Sequence, residues 1–191
     1  MQLVTTSLRV SLVLMALCGL IYNLAVTGIA QGLMPHKADG SLIEDSSGRI
    51  VGSAHIGQTF TEPRWFHGRL SSIGYAADGS GTPNYAPSNP DLLERARQSA
   101  IDWQAANPAV PLGQVTADLI TNSGSGLDPD ISPEGARAQI PRVSAATGIP
   151  AAELEKLVER QVEPRQLGVF GEPTVNVLEL NLALQALASN S

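Results

Sequence analysis

Between Arg9 and Lys37 the chain carries no Asp, Glu, Lys or Arg, and this gap governs what the rest can fold into. From Val10 to Met34 the residues are mostly Val, Leu, Ile, Ala and Met, interrupted mainly by Ser11, Tyr22, Asn23, Thr27 and Gln31. At about 1.5 Å per residue, a helix of about 20 such residues crosses a bilayer core about 30 Å thick. The stretch predicts a transmembrane helix over 10–34, a short tail over 1–9 and a single soluble domain over 35–191. A cleaved signal peptide fits less well, because its apolar region runs to about 7–15 residues and ends in a small-residue site that Gly28-Ile29-Ala30 matches poorly.

Arg9 and the terminal amine flank one end of the span, whereas Lys37 at the other end has Asp39 close by. The positive-inside rule then puts the N-terminus on the cytoplasmic side and the domain outside. Tyr22, Asn23, Thr27 and Gln31 fall on or near one face at helical spacing. Polar groups inside a membrane face protein more often than lipid, so Tyr22, Asn23 and Gln31 are candidate contacts with a partner helix.

Every acidic residue lies beyond the gap. Of the 12 Lys and Arg only Arg9 precedes residue 36, so 11 basic residues stand against all 18 acidic ones and the domain carries a formal charge of −7. Such a domain repels phosphate backbones, which argues against nucleic acid as a partner. The one cysteine, Cys18, lies within the span. It forms no intrachain disulfide and no cysteine-based zinc site, and Leu17 before it is too bulky for lipoprotein processing.

Two runs rich in Gly, Ser, Pro and Asn, 78–90 and 122–133, are too short for interdomain linkers and read as ordered loops. Arg49-Ile50-Val51, Gln58-Thr59-Phe60 and Ala117–Thr121 predict short strands. A helix starts at Asn89-Pro90, with Leu92, Leu93, Ala96, Ala100 and Trp103 on its inner side, and ends before Asn107-Pro108. Ser132-Pro133 opens another, interrupted at Pro141. Pro150 opens a third, and Asn176 caps a last one whose stripe is Val177, Leu180, Leu184 and Leu187. The expected fold class is α+β, a single N-terminal transmembrane helix followed by one mixed domain.

The chain lacks both the Asp-Lys-Thr-Gly segment that a P-type pump phosphorylates and the Walker-type phosphate loop. Ser125 sits in Ser123-Gly124-Ser125-Gly126-Leu127, but a nucleophile elbow needs glycine where Ser123 and Leu127 stand, so the segment reads as a tight turn. Asp128-Pro129-Asp130 could pair as acid and base or hold a hard cation, yet it too reads as a turn. His36, His55 and His67 show no ligand spacing, so no metal and no catalytic residue is assigned. Ile73-Gly74-Tyr75 is like a fragment of a potassium filter, but one span encloses no pore.

Six blocks are more specific: 52–60 (Gly-Ser-Ala-His-Ile-Gly-Gln-Thr-Phe), Phe66-His67-Gly68-Arg69, Pro87-Ser88-Asn89-Pro90, Ala106-Asn107-Pro108, the 123–133 run Ser-Gly-Ser-Gly-Leu-Asp-Pro-Asp-Ile-Ser-Pro, and Gln139-Ile140-Pro141-Arg142-Val143. The closing 167–184 stretch contains Val-Asn-Val-Leu-Glu-Leu-Asn-Leu-Ala-Leu. In this order behind one span, they resemble the C subunit family of the Kdp potassium-transporting P-type ATPase. The chain departs from that pattern at Asn23, where proline is common, at Ala76, where asparagine is usual, and in the 78–85 loop.

The resemblance implies a non-catalytic subunit beside a channel-like potassium-binding A subunit, an ATP-hydrolysing B subunit and a small F subunit. It also implies a catalytic chaperone that raises the ATP affinity of the B subunit. ATP enters only through that resemblance, and a domain outside the membrane does not touch a cytoplasmic nucleotide. Ser123, Gly124, Ser125, Gly126 and Asp128 are the candidate contact or structural loop. The alternatives are an anchored extracytoplasmic binding module and a secreted serine hydrolase.

Overall fold

The structure is a computed structural model describing residues 2–45 and 47–189. It divides into two compact units, Met1–Leu42 and Ile43–Ser191.

The first unit is an apolar helix, Gln2–Leu33, long enough to cross a membrane and exposed along its length. It extends eight residues earlier than the uncharged stretch, because Gln2 to Arg9 contain no helix breaker. Within it, α1 (Gln2–Leu14) and α2 (Tyr22–Leu33) flank a seven-residue π-helical segment, Met15–Ile21. The wider winding shows where the Tyr22 amide reaches back five residues to the Leu17 carbonyl. A single turn, α3 (Pro35–Ala38), follows after Met34 breaks the helix.

Strands β1 (Leu42–Glu44), which begins at the last residue of the first unit, and β2 (Ile50–Ser53) pair into a small sheet. Helix α4 (Pro90–Ala106) has the expected cap, the Asn89 side chain accepting from the Asp91 amide. Its inner side is narrower than the spacing predicts: Leu92, Ala96, Ala100 and Trp103 are half-buried, but Leu93 is 62% exposed. Where a strand was expected at 117–121, the chain forms a helical turn, α5 (Ala117–Ile120), with Leu119 buried. Three apolar residues in five fit one turn of helix as well as a strand, and only packing decides. Gln58-Thr59-Phe60 is also not a strand. Gln58 instead donates from its side chain to the Val51 carbonyl at 2.7 Å, doing locally what a ladder would do.

The central sheet is three-stranded, antiparallel and very short: β5 (Thr174–Asn176) runs between β3 (Asp130–Ile131) and β4 (Val162–Glu163). Helices α6 (Pro133–Thr147) and α8 (Val177–Ser189) pack on its central strand, and α7 (Ala151–Arg160) packs against both helices. The core they enclose includes Ile131, Ile140, Val143, Leu154, Val158, Val175, Leu180 and Leu184, with Phe66 delivered from a loop. Helix α6 runs through Pro141 instead of stopping there. A proline in a helix costs about 3 kcal/mol. Here it faces solvent while Ala136, Gln139, Ile140 and Val143 are buried on the opposite side, and that packing outweighs the local penalty. The helix ends at Gly148, left-handed at φ 76°. The start of α8 is as predicted, the Asn176 side chain accepting from the Glu179 amide at 3.2 Å.

Candidate functional site

The 122–130 loop is held from several sides. Ser123 is fully buried, and its amide donates to the Leu70 carbonyl at 2.9 Å, continuing a parallel bridge between Leu70 and Asn122. Its hydroxyl accepts from the Gly126 amide at 3.0 Å and, more distantly, from the Asp128 amide at 3.4 Å. Buried polar groups are costly unless paired, and here the serine closes the turn from inside.

Gly126 takes φ 72°, and a Cβ built on it would lie 2.6 Å from Ile73 Cγ1 and 2.9 Å from the Gly81 carbonyl oxygen. Glycine is required there both for the left-handed backbone and for space. Gly124 differs: it is exposed, outside the left-handed region, with nothing within 4 Å of its Cβ position. The two glycines that look equivalent in sequence do different jobs.

Neighbouring segments complete the hold. The Ser71 hydroxyl donates to the Gly126 carbonyl at 2.6 Å, the Gly57 amide to the Leu127 carbonyl at 2.8 Å and the Gly81 amide to the Ser125 carbonyl at 2.8 Å. Arg69 pairs with Asp128 at 2.9 Å, and the other Asp128 oxygen accepts from the Asp130 amide at 3.1 Å. Asp128-Pro129-Asp130 is therefore a turn that feeds β3. Ser125 is exposed, and its hydroxyl accepts from the Leu127 amide at 3.1 Å and faces that of Ser123 at 3.3 Å. This is turn geometry rather than an activated nucleophile.

Gly74 and Tyr75 of the filter-like tripeptide are both left-handed, at φ 61° and 59°. They turn the Tyr75 ring over Gly57 and Gly68 and bring its hydroxyl to the Arg69 carbonyl. Burial pushes the Tyr75 hydroxyl above its usual pKa, Asp128 adds to the shift, and Arg69 partly offsets it. Asp130 rises to about 6, first through burial and then through the like charges of Asp128 and Glu163.

A second knot joins two other family blocks. Gln139 on α6 accepts from the His67 amide at 2.8 Å and donates to its carbonyl at 3.0 Å, and Asn181 on α8 does the same to Phe66 at 2.9 Å each way. Two side-chain amides thus pair with consecutive residues as a neighbouring strand would. Arg142 donates to Asn107 at 2.9 Å, to the Trp65 carbonyl at 2.8 Å and to Gln139 at 2.6 Å. Burial lowers its pKa to about 10, and His67 is lowered by burial and then by Arg142. Gln139, Asn181, Arg142, His67 and Asn107 lie beyond the loop singled out from sequence. The available signal was position, since Gln139 and Asn181 fall on the apolar faces of their helices.

Of the span residues, Tyr22 and Asn23 are exposed, and the Asn23 amide donates to the Gly19 carbonyl at 2.8 Å. The Gln31 amide donates to Asp39 at 3.0 Å. The family blocks at 52–60, 66–69, 106–108, 123–133, 139–143 and Asn176 are thus occupied in tying loops to helices.

The family model described as "KdpC: K+-transporting ATPase, c chain" matches residues 4–186. The chain belongs to the KdpC family. A potassium-transporting ATPase KdpC subunit of Bacillus cereus (strain B4264) is 55% identical over 180 residues, covering 94% of this chain and 93% of the relative. That of Bacillus mycoides (strain KBAB4) is 55% identical over the same shares. A KdpC-family chain is a subunit of a potassium-transporting ATPase.

Proposed function

We propose that this chain is the single-span accessory subunit of an ATP-driven potassium uptake complex, and that it supports assembly with a channel-like A subunit, an ATP-hydrolysing B subunit and a small F subunit. The observation that carries this reading is the family match across residues 4–186, which takes in both the apolar helix and the domain. The span over 10–34 anchors the chain in a bacterial inner membrane, N-terminus inside, and the domain stands outside. Any gain in ATP affinity of the B subunit is then transmitted through the membrane-spanning partners, without contact between this domain and nucleotide.

Within the domain, the loop containing Ser123, Gly124, Ser125, Gly126 and Asp128 serves as a stiff contact surface whose exposed points are Gly124 and Ser125. The span contributes through Tyr22, with Asn23 and Gln31 secondary because their amides already have partners in the chain. Co-purification with the A and B subunits in mild detergent tests each part. Gly124→Arg, placed where a side chain meets open space, leaves the domain folded but lowers the recovered fraction. Replacing Tyr22, Asn23 and Gln31 with Leu lowers it by a smaller amount, since measured interhelical hydrogen bonds average about 0.6 kcal/mol. A native chain that fails to co-purify with either subunit sinks the accessory role, and a Gly124→Arg chain that assembles and sustains potassium uptake removes the loop from the interface.

A further inference from the structure

Between β4 and β5 the chain leaves the core in a tight turn whose tip is apolar. Leu167 is 90% exposed, Val169 70% and Phe170 63%. Elsewhere in the described domain, exposed large apolar side chains such as Ile50, Leu93 and Ile101 are scattered singly, which is ordinary for a soluble surface. Three within four residues at one projecting point are not.

The turn is preorganised. Gln166 and Phe170 form an antiparallel bridge. The amides of Gln166, Gly168, Val169 and Phe170 all donate within the turn, to the carbonyls of Phe170, Arg165, Gln166 and Gln166 at 2.9–3.1 Å. Leu167 and Gly168 hold left-handed φ of 54° and 75°. At the base Arg165 and Glu172 are paired, so the stem's opposite charges meet below the tip.

These features select the occupant. A hairpin that docks on protein by strand addition offers a run of free amides and carbonyls along an edge, whereas this one uses the amides of Gln166, Gly168, Val169 and Phe170 within its own turn. A turn with most of its amides paired and its outward side chains apolar enters the interfacial layer at lower cost, because water there still reaches any peptide group left unpaired. The tether supplies the opportunity: only nine residues, Met34 to Leu42, separate the apolar helix from the domain unit. Fully extended they reach about 30 Å, and a domain of about 150 residues has a radius of gyration of about 15 Å. The domain therefore stays within one short tether of the headgroups.

We propose that the 165–172 turn inserts Leu167, Val169 and Phe170 into the interfacial layer of the bilayer, giving the chain a second, shallow membrane contact beside its span. This inference rests on reading Gln2–Leu33 as membrane-embedded. Because the domain is acidic, the lipid favoured is zwitterionic rather than anionic.

The full chain carrying Cys18→Ser is labelled with an environment-sensitive nitrobenzoxadiazole probe at Leu167→Cys, or for comparison at Leu93→Cys on α4, and placed in phosphatidylcholine nanodiscs. Both positions are exposed, so neither substitution disturbs packing. Co-elution with the nanodisc reports the span by itself. The expected result is quenching at 167 by a shallow doxyl-labelled lipid, with an iodide quenching constant roughly tenfold below that at 93, as for an interfacial side chain. Iodide access at 167 equal to that at 93 overturns the inference while leaving the span reading intact. Protection from iodide without lipid quenching means that protein covers the tip, and also overturns it. A chain that does not co-elute removes the span reading and the inference together.

Discussion

Gly124 and Gly126 give a controlled experiment inside one loop. Substituting alanine at Gly126 forces a Cβ to within 2.6 Å of Ile73 Cγ1 and 2.9 Å of the Gly81 carbonyl oxygen, on a backbone held at φ 72°. A non-glycine residue in that left-handed conformation costs on the order of 1–3 kcal/mol, and overpacking of a tight site adds about 1–3 kcal/mol. Ile73 can give a little, but Gly81 is backbone and is itself fastened to Ser125 at 2.8 Å. A total near 3 kcal/mol is expected, a large share of the roughly 5–15 kcal/mol that holds a typical domain. At about 2–4 °C per kcal/mol for a domain of this size, the melting temperature falls by about 10 °C. Alanine at Gly124 meets nothing and needs no unusual φ, so it moves stability by no more than about 0.5 kcal/mol. Thermal melts of the full chain in mild detergent, followed by near-ultraviolet circular dichroism, measure both. If Gly126→Ala melts within 2 °C of the native chain, or if Gly124→Ala costs as much, the account of the loop as a packed hinge around one glycine is wrong.

Asn181→Leu removes both hydrogen bonds to the buried Phe66 backbone and should destabilise by about 2–4 kcal/mol, since each buried group left unpaired costs about 1–3 kcal/mol and the larger side chain recovers little; a urea midpoint equal to the native one would show that the Phe66 segment finds other partners. Asp130 gives a pH signature. Its carboxyl titrates near 6 in the fold against 3.8 ordinarily, so the fold favours the protonated acid: that contribution is complete below about pH 4 and is lost as pH rises through about 6. The full shift corresponds to about 3 kcal/mol, reduced to about 1 kcal/mol because the group is partly solvated. Asp130→Asn should therefore match the native melting temperature near pH 4 and exceed it by several degrees at pH 7.5; a difference that does not change with pH would mean that burial and the neighbouring Asp128 and Glu163 do not act on this carboxyl.

What was legible in the chain is what local chemistry dictates. Asn89-Pro90, Ser132-Pro133 and Asn176 announce helix starts because a side-chain acceptor and a fixed φ act within one turn. The caps form at those residues, to the amides of Asp91, Gly135 and Glu179. The uncharged stretch likewise announces its helix through composition alone. The strands were poorly legible because β3 and β4 have two residues each, and no alternation can be seen in two residues. Their pairing is set by contacts between Asp130–Ile131, Val162–Glu163 and the distant Thr174–Asn176. The 117–121 segment shows the same limit, as its turn of helix depends on burying Leu119 rather than on spacing. At the candidate site, the loop was visible through its glycines and serines, but the different roles of Gly124 and Gly126 were not, because φ and the nearness of Ile73 are tertiary facts.

A domain with so little sheet must join its long loops to its helices by other means, and the buried polar side chains supply them. Gln139 and Asn181 pair with His67 and Phe66 on both donor and acceptor sides, Ser123 closes its own turn, and Asn176 Nδ2 reaches the Ala54 carbonyl at 2.9 Å. Each such tie depends on direction: an apolar residue of equal volume would fill the space but leave the loop's peptide groups unpaired. This is a physical reason for the family blocks to contain Asn, Gln, Ser and Gly at buried positions where Leu or Val would fill as well. The same reasoning separates the two surfaces proposed as contacts. The 123–128 loop is rigid because partners within the domain hold it, and it can present a fixed shape to a subunit. The 165–172 turn is held by its own hydrogen bonds and presents an apolar tip, Leu167, Val169 and Phe170, which suits a fluid layer with no shape to match.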